Sequence, residues 1–265
     1  MLTLERQNEI LEYLKQKKTA TVRELAAKLY VSDATIRRDL GEMETLGLLR
    51  RSHGGAVLLE KNRDELSVLV RMEQNADAKR VMSELTIPLL ADCASVWMDS
   101  SSTVHFLSTL WHPSRKIVFT TGVQTALELA KLADMQVLMP GGMLKFHSDS
   151  LEGEITREQM RSFFADAMVC SCGGISEDGA VTESTLSQCV IKQGMMAQSG
   201  RRILIADRSK MGEHRAFLIG SLREFDVLVC DQRPCEAILS LCKEGGVEVI
   251  WQETEGDRRL SSVRV

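Results

Sequence analysis

Residues 31–55 read VSDATIRRDLGEMETLGLLRRSHGG, and this stretch decides the fold of the N-terminal part. Ser32 is placed to cap a helix starting at Asp33: its side-chain oxygen accepts an orphan backbone N–H, and Asp33 suits the positive helix end. At 3.6 residues per turn, Ile36, Leu40 and Met43 share one face. Ala34, Arg38, Gly41 and Thr45 lie opposite, flanked by Thr35 and Arg37. One side packs and the other is left for a partner. Upstream, Ile10, Leu11 and Leu14 form an apolar stripe on a first helix. Val22, Leu25, Ala26 and Leu29 form a stripe on a second, which opens with the capping-box spacing Thr21 to Glu24. The short connection from Leu29 to Ser32 makes these helices cross. That is a helix-turn-helix, with the third helix entering a major groove about 12 Å wide.

Downstream of Gly47, residues 48–59 read LLRRSHGGAVLL, two short strands around a Gly-Gly turn, which is expected to form a wing. Residues 1–59 carry 10 Lys/Arg against 8 Asp/Glu, and residues 60–265 carry 23 against 29. The chain is acidic overall, with a net charge of −4. Attraction to DNA must therefore come from local placement of Arg37, Arg38, Arg50 and Arg51, with Lys28 a further candidate, rather than from a global field.

Residues 3–58 resemble the winged helix-turn-helix of the DeoR family of bacterial sugar-metabolism regulators. The signature stands here as Val31-Ser32, Thr35-Ile36-Arg37-Arg38-Asp39-Leu40, Gly47, Leu49, Arg51 and His53-Gly54-Gly55-Ala56. The resemblance implies a DNA-reading surface of Ser32, Asp33, Ala34, Thr35, Arg37, Arg38, Arg50, Arg51, His53, Gly54 and Gly55, with double-stranded operator DNA as partner.

The expected organisation is a winged helix-turn-helix over residues 1–59, a charged linker over 60–75 and a larger α/β domain over 76–265. In the last part, β-rich runs alternate with helical intervals: Ser95 to Met98, Ile117 to Thr120, Gln136 to Met139, Ala167 to Ser171, Arg202 to Ala206, Asp226 to Cys230 and Val247 to Trp251. Helices are expected over Val123 to Ala133, Thr185 to Ser199 and Cys235 to Lys243. The fold class is thus α/β with a largely parallel, Rossmann-like sheet. With no apolar run of about 18 residues and no signal-peptide pattern, a cytoplasmic protein is expected. The seven cysteines lack metal-binding spacing and read as buried free thiols. No metal or cofactor is expected.

Ligands of such sheets bind beyond the carboxyl ends of the strands. Asp99-Ser100-Ser101-Ser102-Thr103 offers hydroxyls, N–H groups and a helix dipole to a phosphate. Thr120-Thr121-Gly122, Gly141-Gly142, Gly173-Gly174-Ile175, Asp178-Gly179, Thr182-Glu183 and Asp207-Arg208-Ser209-Lys210 recur at similar places. In this order they resemble the DeoR effector domain, which belongs with the ribose-phosphate isomerase and coenzyme A transferase-like folds and senses phosphorylated sugars. The resemblance implies that Asp99 to Thr103 cradle the phosphate and that Thr120, Thr121, Gly141 and Gly142 line the pocket. It also implies that Asp178, Thr182 and Glu183 meet sugar hydroxyls and that Lys210 adds positive charge. Lys192 reads instead as a solvated helix position. The chain departs from the family pattern at Ser101, where a glycine is usual, and at Gly122, where an asparagine is usual. Phosphate binding is expected to persist with altered sugar specificity.

The implied function is an oligomeric, non-enzymatic repressor of a carbohydrate-utilisation operon, released from DNA by a sugar phosphate. An activator of the same architecture is an alternative that no residue excludes. From another class, the alternative is a sugar-phosphate isomerase-like enzyme with a DNA-binding appendage, using Glu183 or Asp178 as general base.

Overall fold

A computed structural model describes residues 3–45, 48–52, 54–58, 71–72, 74–145 and 148–252. The linker expected over 60–75 falls largely outside them, as do Gly47 and His53. The chain divides into two compact units, Met1–Arg71 and Met72–Val265.

The first unit holds α1 (Thr3–Lys17), β1 (Thr19–Thr21), α2 (Val22–Leu29), α3 (Asp33–Thr45), β2 (Leu49–Ser52) and β3 (Gly55–Leu58). The three stripes read from the sequence meet in one core, where Ile10, Leu14, Leu25, Ile36, Leu40 and Met43 are essentially inaccessible. Burying each such side chain is worth about 1.5–3 kcal/mol. The capping box forms: Thr21 Oγ1 accepts the Glu24 N–H at 3.2 Å, and the Thr21 N–H donates to Glu24 Oε2 at 2.7 Å. β2 and β3 pair with Ser52 opposite Gly55, a two-residue connection that sets the wing. The sequence reading missed β1, which adds a third strand against β3. Gly55 makes that pairing possible, because a Cβ there would lie 2.2 Å from Ala20 O.

The second unit is a three-layer α/β domain. It opens with α4 (Ala76–Thr86), followed by β4 (Ser95–Met98), α5 (Ser102–Leu110), β5 (Ile117–Thr120), α6 (Val123–Leu129), β6 (Gln136–Leu138), β7 (Met143–Lys145), β8 (Ser150–Glu152), α7 (Glu154–Met160) and β9 (Ala165–Cys170). Next come β10 (Gly174–Ile175), β11 (Ala180–Glu183), α8 (Leu186–Ala197), β12 (Ser199–Ile205), β13 (Phe217–Ser221), β14 (Val227–Cys230), α9 (Glu236–Gly245) and β15 (Glu248–Trp251). All seven strands expected from the sequence join one parallel sheet in the order β15-β14-β12-β9-β4-β5-β6. Period-two alternation splits its side chains into two cores, Trp97, Met168, Leu204 and Leu228 on one face and Val96, Val169, Ile203 and Val229 on the other. The strand order runs outward in one direction from β4 and in the other from β9. The switch point, where a crevice opens beyond the strand ends, therefore lies between β4 and β9.

Two smaller sheets were not legible in the sequence. They are the β7-β8 hairpin and the antiparallel β10-β11-β13 sheet.

Candidate functional site

The DNA-facing surface is built on α3 and the wing. Ser32 Oγ accepts the Thr35 N–H at 3.2 Å and lies 2.9 Å from Thr35 Oγ1, which fixes the start of α3. Ala34, Arg37, Arg38, Arg50, Arg51 and Gly54 are exposed, and Asp33 and Thr35 are half-buried. Arg38 is 83% exposed on its side chain and only loosely tethered, 3.8 Å from Glu42, while Arg37 lies 3.6 Å from Asp33. Such exposed helical pairs are worth little, so both guanidiniums are free to exchange their partners for phosphates or base edges. The Arg51 N–H donates to Glu44 Oε1 at 2.7 Å, tying wing to helix. Gly55, expected to touch DNA, is buried against β1 instead.

Orientation of α3 depends on a buried ion pair that the sequence reading did not single out. Arg6 donates twice to Asp39, Nε to Oδ2 at 2.5 Å and Nη2 to Oδ1 at 3.0 Å. This fork-to-carboxylate pair locks α3 onto α1 with a geometry that lysine could not reproduce.

The second site lies at the switch point. Asp99, inaccessible to solvent, follows β4 and accepts the Ser101 N–H at 2.9 Å and the Ser101 hydroxyl at 2.6 Å on Oδ1. Its Oδ2 accepts the Ser171 N–H, just beyond β9, at 3.1 Å. Ser101 Oγ in turn caps α5 by accepting the Val104 N–H at 3.2 Å. The serine in place of the usual glycine is thereby explained as a cap. The N–H groups of Ser102 and Thr103, in the leading turn of α5, have no acceptor among the described residues. Free leading-turn donors and the helix dipole together favour an anion.

Lys192, expected to be a solvated helix position, is 98% buried on α8 and forms the centre of the site. Its Nζ lies 3.3 Å from Asp99 Oδ2 and is also bonded to Glu183. Burial pulls this ammonium down, but Glu183 and Asp99 outweigh it and raise its pKa well above the ordinary lysine value. The sequence did carry a signal: Lys192 shares the buried face of α8 with Cys189, Met195 and Met196, and a lysine on an apolar stripe needs a buried partner.

Gln188, one turn earlier, connects the loops. It accepts the Ser100 hydroxyl on Oε1 at 2.9 Å and donates from Nε2 to Ser150 Oγ at 2.8 Å and Glu152 Oε1 at 2.5 Å. β8 reaches this point by running along the end of β5, with Leu151 N–H on Thr121 O at 2.8 Å and Val123 N–H on Asp149 O at 2.9 Å. Gly122 answers a close approach, since a Cβ there would fall 2.9 Å from Ser100 Cα. Any side chain at this position would push the Ser100 backbone aside.

The other expected residues divide by surroundings. Thr120 and Thr121 are buried beside Gly122, with the Thr120 hydroxyl accepting the Gly122 N–H at 3.1 Å. Gly141 and Gly142 pack on α7, where Thr156 Oγ1 donates to Gly141 O at 2.8 Å. The Thr182 hydroxyl is taken by backbone, donating to Gly174 O at 3.1 Å and accepting the Arg215 N–H at 2.8 Å. Asp178 lies in the β10-β11 turn, bonded to Ser176. It precedes β11, at whose other end Glu183 stands. Lys210 is half-buried in a short 3-10 turn after β12, close enough for its charge to act on Cys172. Beneath the crevice, burial pushes the Cys172 thiol up to about 12 and the Cys170 thiol well above its usual value.

The comparisons with known proteins cover both units of the chain. Residues 6–62 match the family model of the DeoR-like helix-turn-helix domain, and residues 74–232 match that of the DeoR C terminal sensor domain. The chain belongs to the DeoR family. This DeoR-family chain is a DNA-binding transcriptional regulator with a C-terminal sensor domain. It is similar to the HTH-type transcriptional regulator GolR of Listeria innocua, 29% identical over 94% of this chain and 98% of that protein. It is likewise similar to the HTH-type transcriptional repressor GlcR of Bacillus subtilis, 29% identical over 95% and 97%. The L-fucose operon activator of Haemophilus influenzae is 28% identical over 91% and 97%. Among solved structures, ribose 5 phosphate isomerase A from Neisseria gonorrhoeae overlaps half of the chain at 13% identity and a TM-score of 0.37. Among the described residues no helix is long and apolar enough to cross a membrane.

Proposed function

We propose that the chain is a cytoplasmic repressor of a carbohydrate-utilisation operon that leaves its operator when a phosphorylated sugar enters the crevice at the switch point. The observation that carries this reading is the leading turn of α5, whose Ser102 and Thr103 N–H groups have no acceptor among the described residues and stand beside Asp99 and Ser100. Phosphate on Ser100 to Thr103 would leave Asp99, Lys192 and Glu183 to hold sugar hydroxyls, with Thr121 beside them. The site is read as a sensor rather than a catalyst because its relatives are regulators and because Glu183 is committed to Lys192. Relatives named repressor and activator both occur. The repressor reading follows from linkage, since an effector that prefers the low-affinity form releases DNA. Domain bounds of 1–59 and 76–265 around a linker, and a dimer or larger oligomer spanning paired half-sites, belong to the same proposal.

The test is an operator-release assay with a panel of aldose and ketose phosphates. At least one is expected to release wild-type protein, while Ser102→Ala with Thr103→Ala holds DNA and ignores it. Arg38→Ala is expected to abolish operator binding with the melting temperature unchanged. A panel without effect, or turnover of any member, overturns the sensor reading.

A further inference from the structure

Glu152 sits where a phosphate sensor has no general need of a carboxylate. It is 4% exposed and accepts on Oε1 from Ser148 Oγ at 2.9 Å, Ser150 Oγ at 2.9 Å and Gln188 Nε2 at 2.5 Å. Burial alone would favour its neutral form. The bonds from Ser187, Gln188, Ser148 and Ser150 outweigh burial and hold it below the ordinary carboxylate range, so it is charged at neutral pH. Gln188 also binds Ser100, which places the charge two hydrogen bonds and one amide from the phosphate loop, about 8 Å at most. Among the described residues, Asp99 and Glu152 are buried carboxylates beside the crevice and Glu183 is a partly buried one, while Lys192 is the buried ammonium that Asp99 and Glu183 share. Two buried hydroxyls, Thr121 Oγ1 and Thr125 Oγ1, have no partner among the described residues, and Thr125 Oγ1 lies 3.4 Å from the point where a Gly122 Cβ would stand, facing Ser100.

We propose that Glu152 sets the charge class of the effector: the crevice admits a sugar bearing one phosphate whose other end carries hydroxyl or ammonium groups and no second anion. The inference rests on the sensor reading above. One phosphate is offset by the leading turn of α5, but an anion at the far end of a hexose phosphate meets Glu152 in a poorly solvated space. Hydroxyl and ammonium groups meet acceptors there instead.

Operator release and thermal shift with full-length protein test this. The probes are ribose 5-phosphate, fructose 6-phosphate, glucose 6-phosphate and glucosamine 6-phosphate, set against ribulose 1,5-bisphosphate, fructose 1,6-bisphosphate and 6-phosphogluconate. In wild type the second anion is expected to raise the half-effective concentration roughly tenfold or more. Glu152→Gln, close in shape, narrows that ratio at least about fivefold, and Glu152→Asp, which keeps the charge, restores it. If doubly anionic probes match the monophosphates in wild type, or the ratio is equal in Glu152→Gln, the assignment of Glu152 fails while the sensor reading stands. If no probe acts on wild type, the sensor reading itself fails and takes this inference with it. Should Glu152→Gln not fold, Glu152→Ala takes its place, and a ratio there equal to that of wild type overturns the assignment.

Discussion

Asp99 Oδ2 and the Ser171 N–H are joined at 3.1 Å across the gap between β4 and β9. The same oxygen lies 3.3 Å from Lys192 Nζ, so one carboxylate ties together the two halves of the sheet and α8. Replacing it by an amide keeps the shape but removes the charge opposite Lys192. Asp99→Asn is expected to destabilise the protein by about 3 kcal/mol and to abolish effector-driven release, as read by denaturant melts and the release assay. Wild-type stability with intact release would separate Asp99 from the sensor.

Lys192→Met leaves Asp99 and Glu183 buried together without their cation. A loss of about 3–5 kcal/mol at neutral pH is expected, partly regained in acid as one carboxylate takes up a proton. The wild type has the opposite limb. Because the folded Lys192 pKa is raised, its contribution is complete below the ordinary value of 10.5 and is lost as pH climbs through the folded value. Stability measured from neutral to strongly alkaline pH should show that loss in wild type and not in Lys192→Met.

Glu152 governs the acid side. Its folded pKa is lowered, so its contribution is present above the ordinary 4.5 and disappears as pH falls through the folded value. Glu152→Gln should flatten the acid limb of the stability profile; an unchanged limb would show that folding does not lower the pKa of Glu152.

Gly142 has φ +149°, and a Cβ there would lie 2.0 Å from Thr156 Oγ1 and 2.9 Å from Glu152 O. The second neighbour is backbone and cannot rotate away. Gly142→Ala is expected to cost about 2 kcal/mol or more and to blunt the effector response by displacing β8. A melting temperature within a degree of wild type would show that the hairpin tolerates the shift.

In the first unit, Arg6→Met strands Asp39 in the core and is expected to cost about 3–5 kcal/mol, whereas Arg6→Met with Asp39→Leu recovers most of it. Operator affinity should stay low in the double variant, because the fork that orients α3 is gone. Full affinity there would assign the pair to stability alone.

The seven parallel strands were readable because each is a short β-rich run between helical intervals, and the cap at Ser32 and the box at Thr21 fixed the small helices. The hairpin Met143 to Glu152 was not, since MLK and SLE carry neither length nor alternation and their pairing depends on Thr121 and Gly122, far back in the chain. Asp99 to Thr103 could be found from local chemistry, and Lys192 could be singled out as a lysine on an apolar stripe, though not its bond to Asp99. Gln188 and Glu152 could not, because their meaning lies in partners 88 and 36 residues away, which only the folded topology supplies.

Cys170 and Cys172 bracket Ser171 directly under the crevice, and both are held far from ionisation. Thiolates, not thiols, attack peroxides and disulfides, and almost none exists there at neutral pH. Oxidative stress that modifies exposed Cys235 therefore leaves the floor of the sensor unaltered.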